Sequence, residues 1–194
     1  AYANQPHITQ WNLARFAEAL LPLFDPDQER AVGLATDVLN EYPAAFNRHW
    51  LGGMRAKLGL RTERADDLEL VKALLDRMAE TRADWTNTFA GLAAGEGPAV
   101  GDAFRDWHAR WQDRLRAEGD PAEAVAARLR ATNPQVVPRN HRVEAALAAA
   151  EERDDYGPLH ALLAALAAPY DPPADPAFRD PPADECGYRT FCGT

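Results

Sequence analysis

The chain has 194 residues, 46% hydrophobic and 26% charged, with a formal net charge of -9, which describes a soluble globular chain long enough to bury roughly 70% of its unfolded surface. With 21 Lys and Arg against 30 Asp and Glu, it has no broad basic face to neutralise phosphates, so neither nucleic acid nor an anionic membrane is an expected partner. Serine is absent and cysteine occurs twice, which excludes a serine nucleophile and a disulfide scaffold.

No apolar run approaches the roughly 20 residues a membrane-spanning helix needs. No basic-then-apolar signal opens the chain, so the expected compartment is the reducing cytoplasm. The start at Ala1 rather than Met reads as a cut or processing point, with polypeptide expected upstream.

Ile8 is the only isoleucine and there are eight valines, while Ala, Leu, Arg and Glu abound, so the expected class is all-α. Leu13, Phe16, Ala17, Leu20, Leu21 and Phe24 fall on one stripe of a first helix. Pro22 predicts a kink or an end near Leu21. Asp25-Pro26-Asp27-Gln28 offers a cap, a proline at the first helical position and a Gln three residues after the cap. The second helix then buries Ala35, Val38, Leu39, Tyr42 and Phe46, bends at Pro43, loosens at Gly52-Gly53 and runs towards Lys57, with Gly59 as terminator.

A third helix, from Asp66 or Asp67, presents Leu68, Val71, Leu75 and Met78, and a shorter one after Asp84 presents Trp85, Phe89 and Leu92. Gly95-Glu96-Gly97-Pro98 breaks the chain. Phe104, Trp107, Trp111 and Leu115 mark the next helix; Asp120-Pro121-Ala122-Glu123 starts another that Asn133-Pro134 closes. Two more are expected over 139–153 and 158–168. Six of the 15 prolines then fall between Pro169 and Pro182, which predicts an extended, solvated, acidic tail over 169–194 behind a helical lobe over 1–168.

Few constellations point to chemistry. Gly95, Gly97 and Gly101 are spaced one residue too long for a dinucleotide fingerprint and follow no strand. His7, His49, His108, His141 and His160 are scattered one per segment, without the second ligand at helical spacing that zinc sites use. Asp66-Asp67 and Asp154-Asp155 read as a helix cap and a polar turn rather than acid–base pairs. Trp85, Trp107 and Trp111 lie on apolar stripes and are expected in the core. Trp11 and Asn12 are less routine, because an Asn beside a Trp can hydrogen-bond the backbone of an adjacent lobe; Asn4-Gln5-Pro6 would pin the same junction. Cys192, near the end of the chain, is a reachable thiol, and its spacing from Cys186 is unlike that of a redox Cys-x-x-Cys pair.

Several separate motifs carry a resemblance. They are Asn4-Gln5-Pro6-His7-Ile8-Thr9-Gln10-Trp11-Asn12-Leu13-Ala14-Arg15, Met54-Arg55-Ala56-Lys57-Leu58-Gly59-Leu60, Asp84-Trp85-Thr86-Asn87-Thr88-Phe89, Asn133-Pro134, Pro138-Arg139-Asn140-His141-Arg142-Val143-Glu144 and Tyr188-Arg189-Thr190-Phe191-Cys192-Gly193-Thr194. Taken in order over essentially the whole chain, they resemble the C-terminal part of the selenoprotein O (SelO/YdiU) family. The resemblance implies a kinase-like fold and a parent activity of protein adenylyltransferase, moving AMP from ATP onto Ser, Thr or Tyr hydroxyls with Mg or Mn. It also implies that the ATP-gripping, catalytic and metal-binding residues precede the Asn4 motif, so that no catalytic, cofactor or metal residue is expected here. Cys192 falls at the family's antepenultimate selenocysteine or cysteine, which makes it the redox-regulatory candidate, with its bonding partner upstream.

Two readings follow. One is a helical C-terminal lobe that leans on an upstream catalytic part of the same protein and serves its protein substrates only through that part. The other is a stand-alone all-α interaction module. They differ over Trp11, Phe16 and Leu20, which a severed lobe exposes and a self-sufficient module covers.

Overall fold

The computed structural model describes residues 4–182. Among the described residues there are eight α-helices and no strands: α1 (Gln5–Phe24), α2 (Gln28–Lys57), α3 (Asp67–Thr81), α4 (Trp85–Gly91), α5 (Arg105–Arg116), α6 (Ala122–Thr132), α7 (Asn140–Arg153) and α8 (Gly157–Ala167). Short 3-10 turns at Pro98–Val100, Asp102–Phe104 and Pro176–Arg179 complete the order. The chain divides into two compact units, residues 1–54 and 55–194.

The first unit consists of α1 and most of α2. Pro22 does not end α1, which continues to Phe24 before Asp25 turns into extended backbone. Only the last turn remains after that proline, so little helix is left to lose. The cap of α2 is Asp27 rather than Asp25: its carboxylate accepts from the Arg30 amide at 3.0 Å, while the Asp25 carboxylate accepts from the Asp27 amide at 2.9 Å. Pro43 lies inside α2, as the sequence predicts.

The second unit holds the larger core. Gly59, at φ +72, terminates α2 in the left-handed region, where a side chain would also press on Leu129. The buried stripe of α3 is Leu70, Val71, Leu74 and Met78, turned slightly from the expected Leu68, Val71, Leu75 and Met78. Asp67, itself buried at the start of the helix, shares this face and sets the rotation. Phe104, Trp107, Trp111 and Leu115 are all buried, and their helix α5 packs on α3. The indole N–H of Trp107 donates to the Leu70 carbonyl and that of Trp111 to the Leu58 carbonyl, each at 2.9 Å, so both rings enter the core without stranding a donor. Trp85 departs from the core expectation: it is 39% exposed, its ring tilted against Phe89 at 4.9 Å. As the first residue of α4 it sits at the rim, while Phe89 one turn on is buried.

The chain after Pro169 is not simply solvated. Through residue 182 several of its carbonyls accept hydrogen bonds from the helical body, and a 3-10 turn forms at Pro176–Arg179. An extended proline-rich segment makes no internal backbone hydrogen bonds of the helical kind, so most of its carbonyls are free to accept such donors.

Candidate functional site

Within the first unit, α1 and α2 line an open apolar groove of about 710 Å³. Its wall carries Phe16, Leu20, Leu23 and Phe24 from α1 and Leu34, Val38, Leu39 and Tyr42 from α2, with Glu41 as the one acidic residue. Only Arg15 and Glu18 are charged in the 20 residues of α1, and the two pair with each other. A helix with apolar residues spread so widely around it is built for burial, yet no residue of α1 is buried. Trp11 is 59% exposed, Phe16 62% and Leu23 79%, and Leu20 is half-buried.

The junction candidates lie at the start of this helix. Asn4 precedes α1 without capping it through its side chain; Asn4, Gln5 and Asn12 are exposed and Pro6 is half-buried. The Arg15 guanidinium lies 5.7 Å from the centre of the Trp11 ring. Pro6, with His7 and Gln10, borders a second hollow whose other wall is Tyr42, Pro43, Phe46 and Asn47. Cys192 and Cys186 lie outside the described residues.

The second unit contains two polar clusters that sequence reasoning missed. In the first, Asp67 is fully buried and accepts from Arg55 Nε and Arg114 Nε, both at 2.7 Å, and from the Arg64 amide at 2.9 Å. Arg114 also donates to Glu118 at 3.0 Å and to the Thr62 carbonyl at 2.7 Å. Glu118 accepts from the Arg61 and Thr62 amides and, at 2.7 Å, from the Thr62 hydroxyl. Burial pushes both carboxyls up, but these donors outweigh it: Asp67 is held below its ordinary range and Glu118 falls to about 2. Arg114 shows the mirror image, burial lowering its pKa and the two carboxylates raising it further. The cluster ties the 58–67 loop to α5, and each nitrogen of the Arg114 guanidinium has an acceptor within it.

Asp120, expected to cap α6, instead faces Arg128 at 2.9 Å and Arg61 at 3.3 Å. Lys57 Nζ reaches Asn133 Oδ1 at 3.4 Å and lies 5.2 Å from the centre of the Phe89 ring, while Asn133 Nδ2 donates to the Lys57 carbonyl at 2.8 Å.

The second cluster surrounds Asp84, which caps α4 through the Asn87 amide at 2.8 Å and pairs with Arg139 through both oxygens at 2.8 and 2.9 Å. Burial raises the Asp84 pKa, and the Arg139 and Asn87 donors bring it below the ordinary carboxylate range. His141 is pushed down by burial and by the charges of Arg142 and Arg139, with Asp180 opposing.

The glycine turn does not fit a phosphate. The Glu96 and Ala94 amides donate to the Gly91 carbonyl, and the Gly101 amide to that of Pro98. A Cβ on Gly91 would collide with the Glu96 carbonyl, and one on Gly97 would lie 2.9 Å from the Asn87 carbonyl. These glycines allow two stretches of backbone to touch. Among the described residues no three His, Cys, Asp or Glu are grouped as metal ligands, and no helix is long and apolar enough to cross a membrane.

The described residues are thus all helical, with an internally tied second unit and a first helix whose large apolar side chains are exposed. The particular family is given by comparison. The family model for protein adenylyltransferase SelO matches residues 1–167, and the chain belongs to that family. It is 51% identical to the protein nucleotidyltransferase YdiU of Geobacillus kaustophilus (strain HTA426) and 47% identical to those of Rhizobium meliloti (strain 1021) and Halalkalibacterium halodurans. The whole of this chain is matched in each case, against 41%, 42% and 41% of the relative. The chain thus spans about two-fifths of the length of these relatives.

Proposed function

We propose that this chain is the C-terminal helical portion of a SelO/YdiU-type protein adenylyltransferase, corresponding to the C-lobe and C-terminal extension of a kinase-like fold. The parent transfers AMP from ATP, with Mg or Mn, to Ser, Thr or Tyr hydroxyls of target proteins; this portion is structural and regulatory and has no competent active site of its own. Its partner is the catalytic part of the same protein, against which α1 is laid, with Asn4, Gln5, Pro6, Trp11 and Asn12 at the junction.

The observation that carries this reading is α1 itself. Its Trp11, Phe16 and Leu23 face solvent in a chain about two-fifths as long as its relatives, and covering each such side chain is worth about 1.5–3 kcal/mol. A stand-alone module would have covered them with its own helices.

The test is incubation with labelled ATP, a divalent metal and a generic protein acceptor. The isolated chain is expected to transfer no AMP, and the full-length parent to transfer it; robust labelling by the isolated chain would refute the assignment. Cys192 is proposed as the redox-regulatory thiol of the parent. Mass mapping of the mildly oxidised full-length protein should find it bonded to an upstream sulfur, and a persistently free thiol there defeats that role.

A further inference from the structure

The described part of the proline-rich segment is held at both ends by groups that bind its backbone. At its start the Gln135 and Val136 amides both donate to the Pro169 carbonyl, at 2.7 and 3.1 Å. Further on, Arg142 Nη2 donates to the Ala177 carbonyl at 2.8 Å, and the Arg179 carbonyl accepts from Arg139 Nη2 at 2.8 Å and Asn87 Nδ2 at 3.1 Å. Asp175 caps the 3-10 turn by accepting from the Ala177 amide at 2.9 Å, and the Arg142 guanidinium lies 6.0 Å from the centre of the Phe178 ring.

We propose that Asn87, Arg139 and Arg142 form a clamp that holds residues 175–182 as a fixed strap, with Asp84 as its positioning residue. Asp84 grips the Arg139 guanidinium through both oxygens, and a bidentate pair fixes that plane so that Nη2 also reaches the Arg179 carbonyl. The same carboxylate caps α4 and thereby places Asn87, the second donor to that carbonyl. Asp84 therefore sets both donors at once. The strap suits this mode of capture because its prolines restrict the free chain and reduce the entropy lost on docking. Its carbonyls are read rather than its side chains, Phe178 excepted.

The clamp does not rest on the redox reading of Cys192.

Hydrogen exchange of the full chain, read by mass spectrometry, tests the clamp. Asp84→Asn keeps an oxygen for the α4 cap but removes the charge that orients Arg139, and Arg142→Ala removes the neighbouring anchor. In both variants, exchange over 176–182 is expected to accelerate at least about tenfold while α5 keeps its protection. Unchanged exchange over 176–182 in both variants would overturn the proposal. So would an equal loss of protection through α5, which would make Asp84 an ordinary stabilising residue. Cys192 contributes nothing to this readout, so failure of the redox reading is seen separately, by mass mapping.

Discussion

Asp67→Asn is the most informative single change in the second unit. The carboxylate is fully buried and accepts two guanidinium bonds at 2.7 Å and one amide bond at 2.9 Å. Asparagine has nearly the same volume, so no cavity forms, but its amide group must face one of the arginine donors. Two charge-assisted bonds, each worth about 1.5–3 kcal/mol, are compromised, and Arg55 and Arg114 each lose their buried carboxylate partner, keeping only Glu63 and Glu118 at 3.0 Å. Breaking one side of a buried ion pair costs about 3–5 kcal/mol, and that is the loss expected here. Asp66→Asn is the internal control, because Asp66 is exposed and makes no side-chain cap bond; its effect should stay within about 0.5 kcal/mol. Urea denaturation followed by tryptophan fluorescence measures both, since Trp107 and Trp111 sit in the same core. A loss below about 1 kcal/mol for Asp67→Asn, or equal losses at the two positions, would refute the buried-network account.

Acid should act mainly through the same cluster. Glu118 is depressed in the folded chain from 4.5 to about 2, so its contribution, about 3 kcal/mol, is complete above the unfolded pKa and is lost as pH falls from 4.5 towards 2; Asp67 and Asp84 act in the same direction. Urea midpoints at pH 7, 4 and 3 should fall in that order, and Glu118→Gln should flatten the fall; a constant midpoint would contradict the assignment. Gly91→Ala should destabilise by at least about 2 kcal/mol, because the added methyl meets a backbone carbonyl that cannot swing aside; a neutral substitution on thermal melting would show that the glycine turn is loosely packed. Phe16→Gln should reduce binding of a hydrophobic dye to the isolated chain without lowering its stability, yet destabilise the full-length parent by about 1.5–3 kcal/mol. A loss of equal size in both proteins would mean that the chain already covers Phe16.

The helices were legible because their signals are local. Apolar periodicity, capping residues and the breaks at Gly59 and Gly95-Glu96-Gly97-Pro98 depend on neighbours in sequence, and each expected helix is present to within a few residues. Cap details were less legible: the expected caps Asp25 and Asp120 make other contacts, because an aspartate beside a proline carries the same local signal whether it caps or pairs across the fold. The polar clusters were not legible at all. Asp66 and Asp67 look alike in sequence, and only the approach of Arg55, 12 positions away, and Arg114, 47 positions away, separates an exposed carboxylate from one buried at the heart of an ion network. The exposure of Trp11 and Phe16 was legible only as an alternative, since an apolar stripe shows that a surface is to be covered without showing by what.

The motifs that mark the family behave differently in the two units. In the second, residues from different motifs meet one another: Lys57 with Asn133, and Asp84 with Arg139; Arg55 meets Asp67 close by in the chain. Each is a polar contact made inside the fold, so these motif residues are accounted for by the stability and geometry of the helical body alone. In the first unit the residues of the Asn4 to Arg15 motif find little of this kind; Trp11 is exposed, and Arg15 stacks on it and pairs with Glu18. A motif satisfied internally needs no partner to explain it, whereas a helix that presents Trp11, Phe16 and Leu23 to water gives up several times 1.5–3 kcal/mol of burial against a typical domain stability of about 5–15 kcal/mol. The uncovered first helix, rather than the internally satisfied motifs, is therefore what carries the proposal that this chain is laid against another surface.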